Sequence, residues 1–132
     1  MAAGKYDFTI EQGATVDFEV RYTDVSGSAI DLTGYQGRMQ LRPSVGSDIK
    51  YITLSSSLDL DGTGLNFSGS DGLNPPTSGT IGIFISAESS SLLDFGEAVY
   101  DLELATGSQF PIVTRLLEGQ VRLSKNVTLG SF

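Results

Sequence analysis

Strict alternation of apolar and polar residues constrains this chain more than any other feature. Thr15 to Tyr22 reads TVDFEVRY, with Val16, Phe18, Val20 and Tyr22 on one parity and Asp17, Glu19 and Arg21 on the other. A period of two belongs to a strand that buries one face and wets the other. The period recurs in Tyr6 to Glu11, where Tyr6, Phe8 and Ile10 alternate with Asp7, Thr9 and Glu11. It recurs again in Gln36 to Arg42, where Gly37, Met39 and Leu41 alternate with Arg38, Gln40 and Arg42. Pro43 ends that strand, because proline has no N–H to give a ladder.

The C-terminal stretch Gly96 to Leu123 reads as antiparallel strands around a hairpin. Tyr100, Leu102 and Leu104 alternate with Asp101 and Glu103, and Ala105-Thr106-Gly107-Ser108 supplies a small polar turn. The chain is expected to return through Ile112 to Leu117 and on through Val121 and Leu123. Leu116-Leu117 breaks the alternation, so a β-bulge is expected there. Shorter strands are expected at Tyr51 to Leu54, Leu65 to Phe67 and Thr80 to Ile85. Ile30 to Tyr35 reads as a loop or one short helical turn that carries Ile30 and Leu32 into the core. Ser86 to Leu93 can form one or two helical turns, with Ser86 as N-cap and Glu88 in the first turn. Ser68 to Gly79 holds Gly69, Gly72, Pro75, Pro76 and Gly79 and must be an exposed loop, long enough to be mobile or to touch a partner. The sum is an all-β fold: about 7–9 short antiparallel strands in a two-sheet sandwich or barrel, with at most one short helix.

With 132 residues, one domain spanning 1–132 is expected, with an apolar C-terminal tail over about 124–132. The chain has no His and no Cys. A Ser-His-Asp triad, a thiolate nucleophile and a Cys-ligated metal are therefore excluded, and no disulfide framework exists. No enzymatic activity and no cofactor are expected. The net charge is −8. Such a chain is expected to be soluble and to repel nucleic acid and anionic membranes; its charge reads first as a solubilising surface, with docking to a basic partner as the alternative. Met1-Ala2-Ala3-Gly4-Lys5 lacks the apolar segment of a secretory leader, and the longest apolar run, Ile81 to Ile85, is strand-sized.

Other motifs have plainer readings. Asp59, Asp61, Gly62 and Asn66 echo a calcium loop but lack its closing Glu, and an Asp-Gly turn explains the same residues. Asp101 with Glu103, and Asp17 with Glu19, are carboxylate pairs on strand faces, as solvated faces often carry. Arg38 and Arg42 could grip phosphate; a cross-strand ion pair with Asp101 or Glu103 is the expectation. Asn66-Phe67-Ser68 and Asn126-Val127-Thr128 match a glycosylation triplet that is common by chance. Ser89-Ser90-Ser91 reads as linker. Leu129 and Phe132 are apolar residues near a terminus and are expected to pack on the domain or on a neighbour.

Three blocks together carry a resemblance. They are Tyr6 to Thr15; Ile30-Asp31-Leu32-Thr33-Gly34-Tyr35 with Arg38 to Arg42; and Val99 to Leu104 with Thr114 to Gly119 and Val121. In this order they resemble small structural proteins of tailed bacteriophages, in particular the N-terminal domain of phage baseplate upper proteins. The resemblance implies an immunoglobulin-like β-sandwich without catalytic residues, located in the virion. It would attach fibres or neighbouring proteins at the tail, baseplate or neck, in several copies of a symmetric assembly. Decoration of the capsid is the alternative within the virion. A carbohydrate-binding sandwich is the alternative of another class, with Tyr35 and Tyr51 as its aromatic candidates. The expected interface residues are Tyr6, Phe8, Asn74, Pro75, Pro76, Leu129 and Phe132.

Overall fold

The computed structural model describes residues 3–107 and 109–129. Nine strands form two sheets: β1 (Gly4–Lys5), β2 (Phe8–Glu11), β3 (Val16–Arg21), β4 (Tyr35–Arg42), β5 (Ile52–Ser55), β6 (Gly64–Asn66), β7 (Thr80–Ile85), β8 (Glu97–Thr106) and β9 (Val113–Ser124). A short helix, α1 (Ala87–Ser91), follows β7, and Pro76–Ser78 makes a single 3₁₀ turn. The larger sheet runs β1-β9-β8-β4-β5, with β2 also on β9; the smaller runs β3-β7-β6. Both sheets contribute to one core, with Met39, Leu41, Leu102, Leu104 and Val121 from the larger and Val16, Leu65, Ile81, Ile83 and Ile85 from the smaller.

The alternation translates directly into burial. Gly37, Met39 and Leu41 are buried while Arg38 is exposed, and in β8 Ala98, Tyr100, Leu102 and Leu104 are buried on one parity. Leu32 enters the core from the loop before β4, as expected. In the β8–β9 ladder Leu102 faces Leu117 and the next residue, Glu103, faces Arg115. Leu116 is therefore the extra residue of a bulge, where the alternation fails. Ser86 caps α1 by accepting the Ser89 N–H at 3.0 Å.

Four expectations need correction. The larger sheet is mixed: β1 and β2 pair in parallel with β9, Gly4 facing Leu117 and Phe8 facing Val121. Two strands from opposite ends of a chain have no hairpin to force them antiparallel. Tyr6 to Glu11 is interrupted, because the Asp7 carboxylate accepts the Gln120 N–H at 2.8 Å where a backbone carbonyl would otherwise do so. Gly119 makes this crossing possible: a Cβ there would lie 2.2 Å from the Tyr6 carbonyl oxygen. The hairpin connection is longer than the expected Ala105–Ser108 turn. Strand β8 continues to Thr106, whose N–H bonds the Ile112 carbonyl, and β9 begins at Val113. Pro111, with no N–H, cannot extend the ladder. Lastly, Ser89 to Ser91 is helix rather than linker, and Ser90 is fully buried.

A candidate docking end built from three loops

The loops at the β8–β9 hairpin end are held together through their backbones. The Tyr22 N–H bonds the Gly79 carbonyl at 2.8 Å, and the Leu32 N–H bonds the Pro76 carbonyl at 3.0 Å. These bonds tie the β3–β4 loop to the β6–β7 loop. Gly107, in the hairpin connection, packs so closely on the β3–β4 loop that a Cβ would lie 2.6 Å from the Gly34 carbonyl oxygen. Gly79 has φ +69°, a left-handed conformation that ends the Pro76–Ser78 turn.

Within each loop, aspartate and asparagine side chains close tight turns. Asp24 accepts the N–H groups of Ser26 and Ser28 at 2.9 and 3.0 Å, and Asp31 accepts the N–H of Thr33 at 2.9 Å. Asn66 and Asp71 do the same for Ser68 and Leu73. Hydrogen bonding lowers two of these carboxyl pKa values, chiefly from the Ser26 hydroxyl on Asp24 and the Thr33 hydroxyl on Asp31. With their backbones fixed, the loops hold large apolar side chains in water. Val25 and Leu73 are 97% and 83% exposed, and Phe110, Ile112 and Val113 are exposed on the hairpin. Asp24, Asp31 and Asp71 add negative charge to the β3–β4 and β6–β7 loops.

The expected interface residues do not form one surface. Asn74, Pro75 and Pro76 lie at this loop end, with both prolines exposed. Tyr6 and Phe8 lie along the outer edge of the larger sheet in an aromatic group: Phe8 packs on Phe18 at 5.1 Å and on Tyr100 at 5.2 Å, and Tyr6 on Phe18 at 5.8 Å. The Tyr100 hydroxyl donates to the Tyr6 carbonyl. Burial first, and the nearby Asp7 second, push the Tyr100 phenol pKa up. Leu129 is exposed beyond the far end of β9, a strand of 12 residues and roughly 40 Å. Phe132 lies outside the described residues. The sequence reading placed Ile112 inside the strand, which instead starts at Val113; Pro111 was the signal that the strand starts later.

The outer face of the larger sheet carries the other candidate groups. A cleft of about 900 Å³ lies over it, lined by Arg38, Arg42, Asp101, Glu103, Arg115 and Glu118 among others. Its charges pair with one another. Arg38 meets Glu103 at 2.8 Å, the expected cross-strand pair, and Arg115 meets Asp101 at 3.4 Å and Glu118 at 3.6 Å. Arg42 departs from expectation and bonds the Gln40 side chain and the Ser47 carbonyl. Burial, followed by Glu103, raises the Asp101 carboxyl pKa against the pull of Arg115 and Arg38. Among the described residues no three His, Cys, Asp or Glu side chains are placed to hold a metal ion. Asp61 instead accepts the Thr63 N–H and the hydroxyls of Ser86 and Ser89, while Asp59 and Gly62 form a tight turn. The Tyr51 ring is stacked on Phe95 at 4.5 Å and Tyr35 is half-buried, so neither offers a bare platform for a sugar. No helix among the described residues is long and apolar enough to cross a membrane.

No known protein-family model matches this sequence, and no curated protein matches it.

Proposed function

We propose that this chain is a non-enzymatic adaptor of a tailed-phage virion: an immunoglobulin-like sandwich that docks neighbouring proteins through its three-loop end. The observation that carries docking is the exposure of Val25, Leu73, Ile112 and Val113 at one end of the fold, where backbone bonds tie the β3–β4 loop to the β6–β7 loop. Ordering such loops in advance lowers the entropy lost on binding, and apolar side chains at their tips are what a partner would cover.

The strand order supports the immunoglobulin-like reading. In that architecture strands B, E and D share one sheet and G, F, C and C′ the other. Here β3-β7-β6 stand in the first set and β9-β8-β4-β5 in the second. The paired cysteines and tryptophan of antibody domains are missing, since the chain has neither residue type. The virion setting rests on the resemblance of the three sequence blocks, which fall largely on β2, β4, β8 and β9.

Quantitative mass spectrometry of particles purified from cells producing this chain tests the proposal. A small multiple of three or six copies per particle supports a tail, baseplate or neck adaptor. Hundreds of copies would make it a capsid decoration. Its absence from particles would overturn the virion reading.

A further inference from the structure

Strand β3 is an edge of the smaller sheet, paired with β7 on one side and with no other described strand. Its backbone direction follows from Tyr22, whose N–H points to Gly79 at the start of β7. Backbone groups alternate sides along a strand, so Val16, Phe18 and Val20 bond towards β7 while Asp17, Glu19 and Arg21 present N–H and C=O outwards. The inward side chains of this edge are incompletely covered. Phe18 and Val20 are half-exposed, whereas Ile81, Ile83 and Ile85 on the neighbouring strand are buried. The half-exposed rings of Tyr6 and Phe8 stand beside Phe18 on the same open flank.

We infer that two copies of this chain pair through this edge, β3 against β3 in antiparallel register about a twofold axis at Val20. The charges select both the occupant and the register. Pairing about Val20 sets Glu19 of each copy opposite Arg21 of the other, Phe18 opposite Tyr22 and Val20 opposite Val20. Shifting the axis to Phe18 sets Asp17 opposite Glu19 twice. An axis at Glu19 stacks Glu19 on Glu19, and an axis at Arg21 stacks Arg21 on Arg21. Only the Val20 register gives two opposite-charge pairs and no like-charge pair, and cross-strand neighbours of like charge are destabilising. The outward residues Glu19 and Arg21 are directly opposite on the hydrogen-bonded positions of that ladder. Ser70 Oγ donates to Glu19 Oε1 at 3.1 Å and holds this carboxylate on the outer face of the sheet. Such an interface is isologous and closes at two copies, so it does not propagate into a fibre. It also seals the flank of Phe18 and Val20.

The test is sedimentation of the full chain from about micromolar to about millimolar concentration, in about 0.15 M salt so that net repulsion is screened. A reversible dimer is expected, with the amides of Glu19 and Arg21 slowed in hydrogen exchange as concentration rises. Arg21→Glu and Glu19→Arg should each weaken the dimer by about tenfold or more, because two attractive pairs become repulsive. The double variant Glu19→Arg with Arg21→Glu should restore it, since the pairs re-form with their signs exchanged. Ile112→Ser at the loop end should leave it intact. A monomer at every concentration would overturn the inference. So would a dimer indifferent to the single variants, with the Glu19 and Arg21 amides exchanging as in the dilute protein, or one abolished by Ile112→Ser.

Discussion

The two ends of this fold are closed by different means. At the α1 end, side chains reach across the chain. Ser90 Oγ, fully buried, accepts the Gly13 N–H and donates to the Glu11 carbonyl, 77 and 79 residues away. Gln12 bonds the Leu93 carbonyl and, through its Oε1, the Asn126 N–H. Asp61 gathers the hydroxyls of Ser86 and Ser89, and Lys125 meets Asp94 at 2.9 Å. At the hairpin end, the carboxylates of Asp24, Asp31 and Asp71 reach residues only two to four positions away. The β3–β4 and β6–β7 loops are joined there by backbone bonds, from Tyr22 to Gly79 and from Leu32 to Pro76, and they carry the exposed side chains of Val25 and Leu73. A long-range polar clasp stabilises the fold. Local turns instead leave apolar side chains exposed at the proposed docking end.

That contrast can be broken by substitution. The largest effect is expected from Gly79→Ala, at the hairpin end. Its φ is +69° and a Cβ would lie 2.5 Å from the Tyr22 carbonyl oxygen, so a loss of about 3 kcal/mol should appear in denaturant unfolding. A small loss would mean that the loop backbones are not fixed. Ser90→Ala comes next, because it leaves the part-buried Gly13 N–H without its acceptor. A loss of about 2 kcal/mol is expected, and an unchanged midpoint would show that the clasp is ornamental.

Asp61 gives the clasp a pH signature. Its pKa is lowered below the usual 3.8, first by the Ser86 hydroxyl and then by Ser89 and the Thr63 N–H. The folded chain therefore binds a proton less readily than the unfolded chain. The stabilisation is fully present above the ordinary carboxylate value and fades as pH falls below it. Tm of the wild type should drop more steeply on acidification than Tm of Asp61→Asn. Parallel curves would remove Asp61 from the clasp. The smallest stability effect is expected from Ile112→Ser and Leu73→Ser, within about 0.5 kcal/mol of wild type in the same unfolding assay. A larger loss would make those side chains part of the core rather than of a docking surface.

What the sequence disclosed follows from what periodicity encodes. A period of two assigns faces, so Met39, Leu41, Leu102 and Leu104 could be placed in the core. The break at Leu116 was legible because a bulge is a fault in that same period. Local chemistry was legible too, in the Ser86 cap and in Arg38 opposite Glu103. Partner choice is not carried by periodicity. The parallel pairing of Phe8 with Val121 joins opposite ends of the chain and leaves no local trace. Arg42 lies two residues after Gln40 and five before Ser47, and those nearer groups won it from the carboxylates of β8. The proposed docking end was half legible. Asn74, Pro75 and Pro76 were marked by loop composition, while Ile112 was hidden at the start of what reads as a strand.

A photo-crosslinking residue placed in turn at Ile112 and at Val127, in chains assembled into particles, tests the central claim most directly. Both positions are exposed, and they lie at opposite ends of β9. The account predicts a crosslink to a neighbouring virion protein from position 112 and none from position 127. Crosslinks from 127 alone would place the docking surface at the clasped end and contradict it.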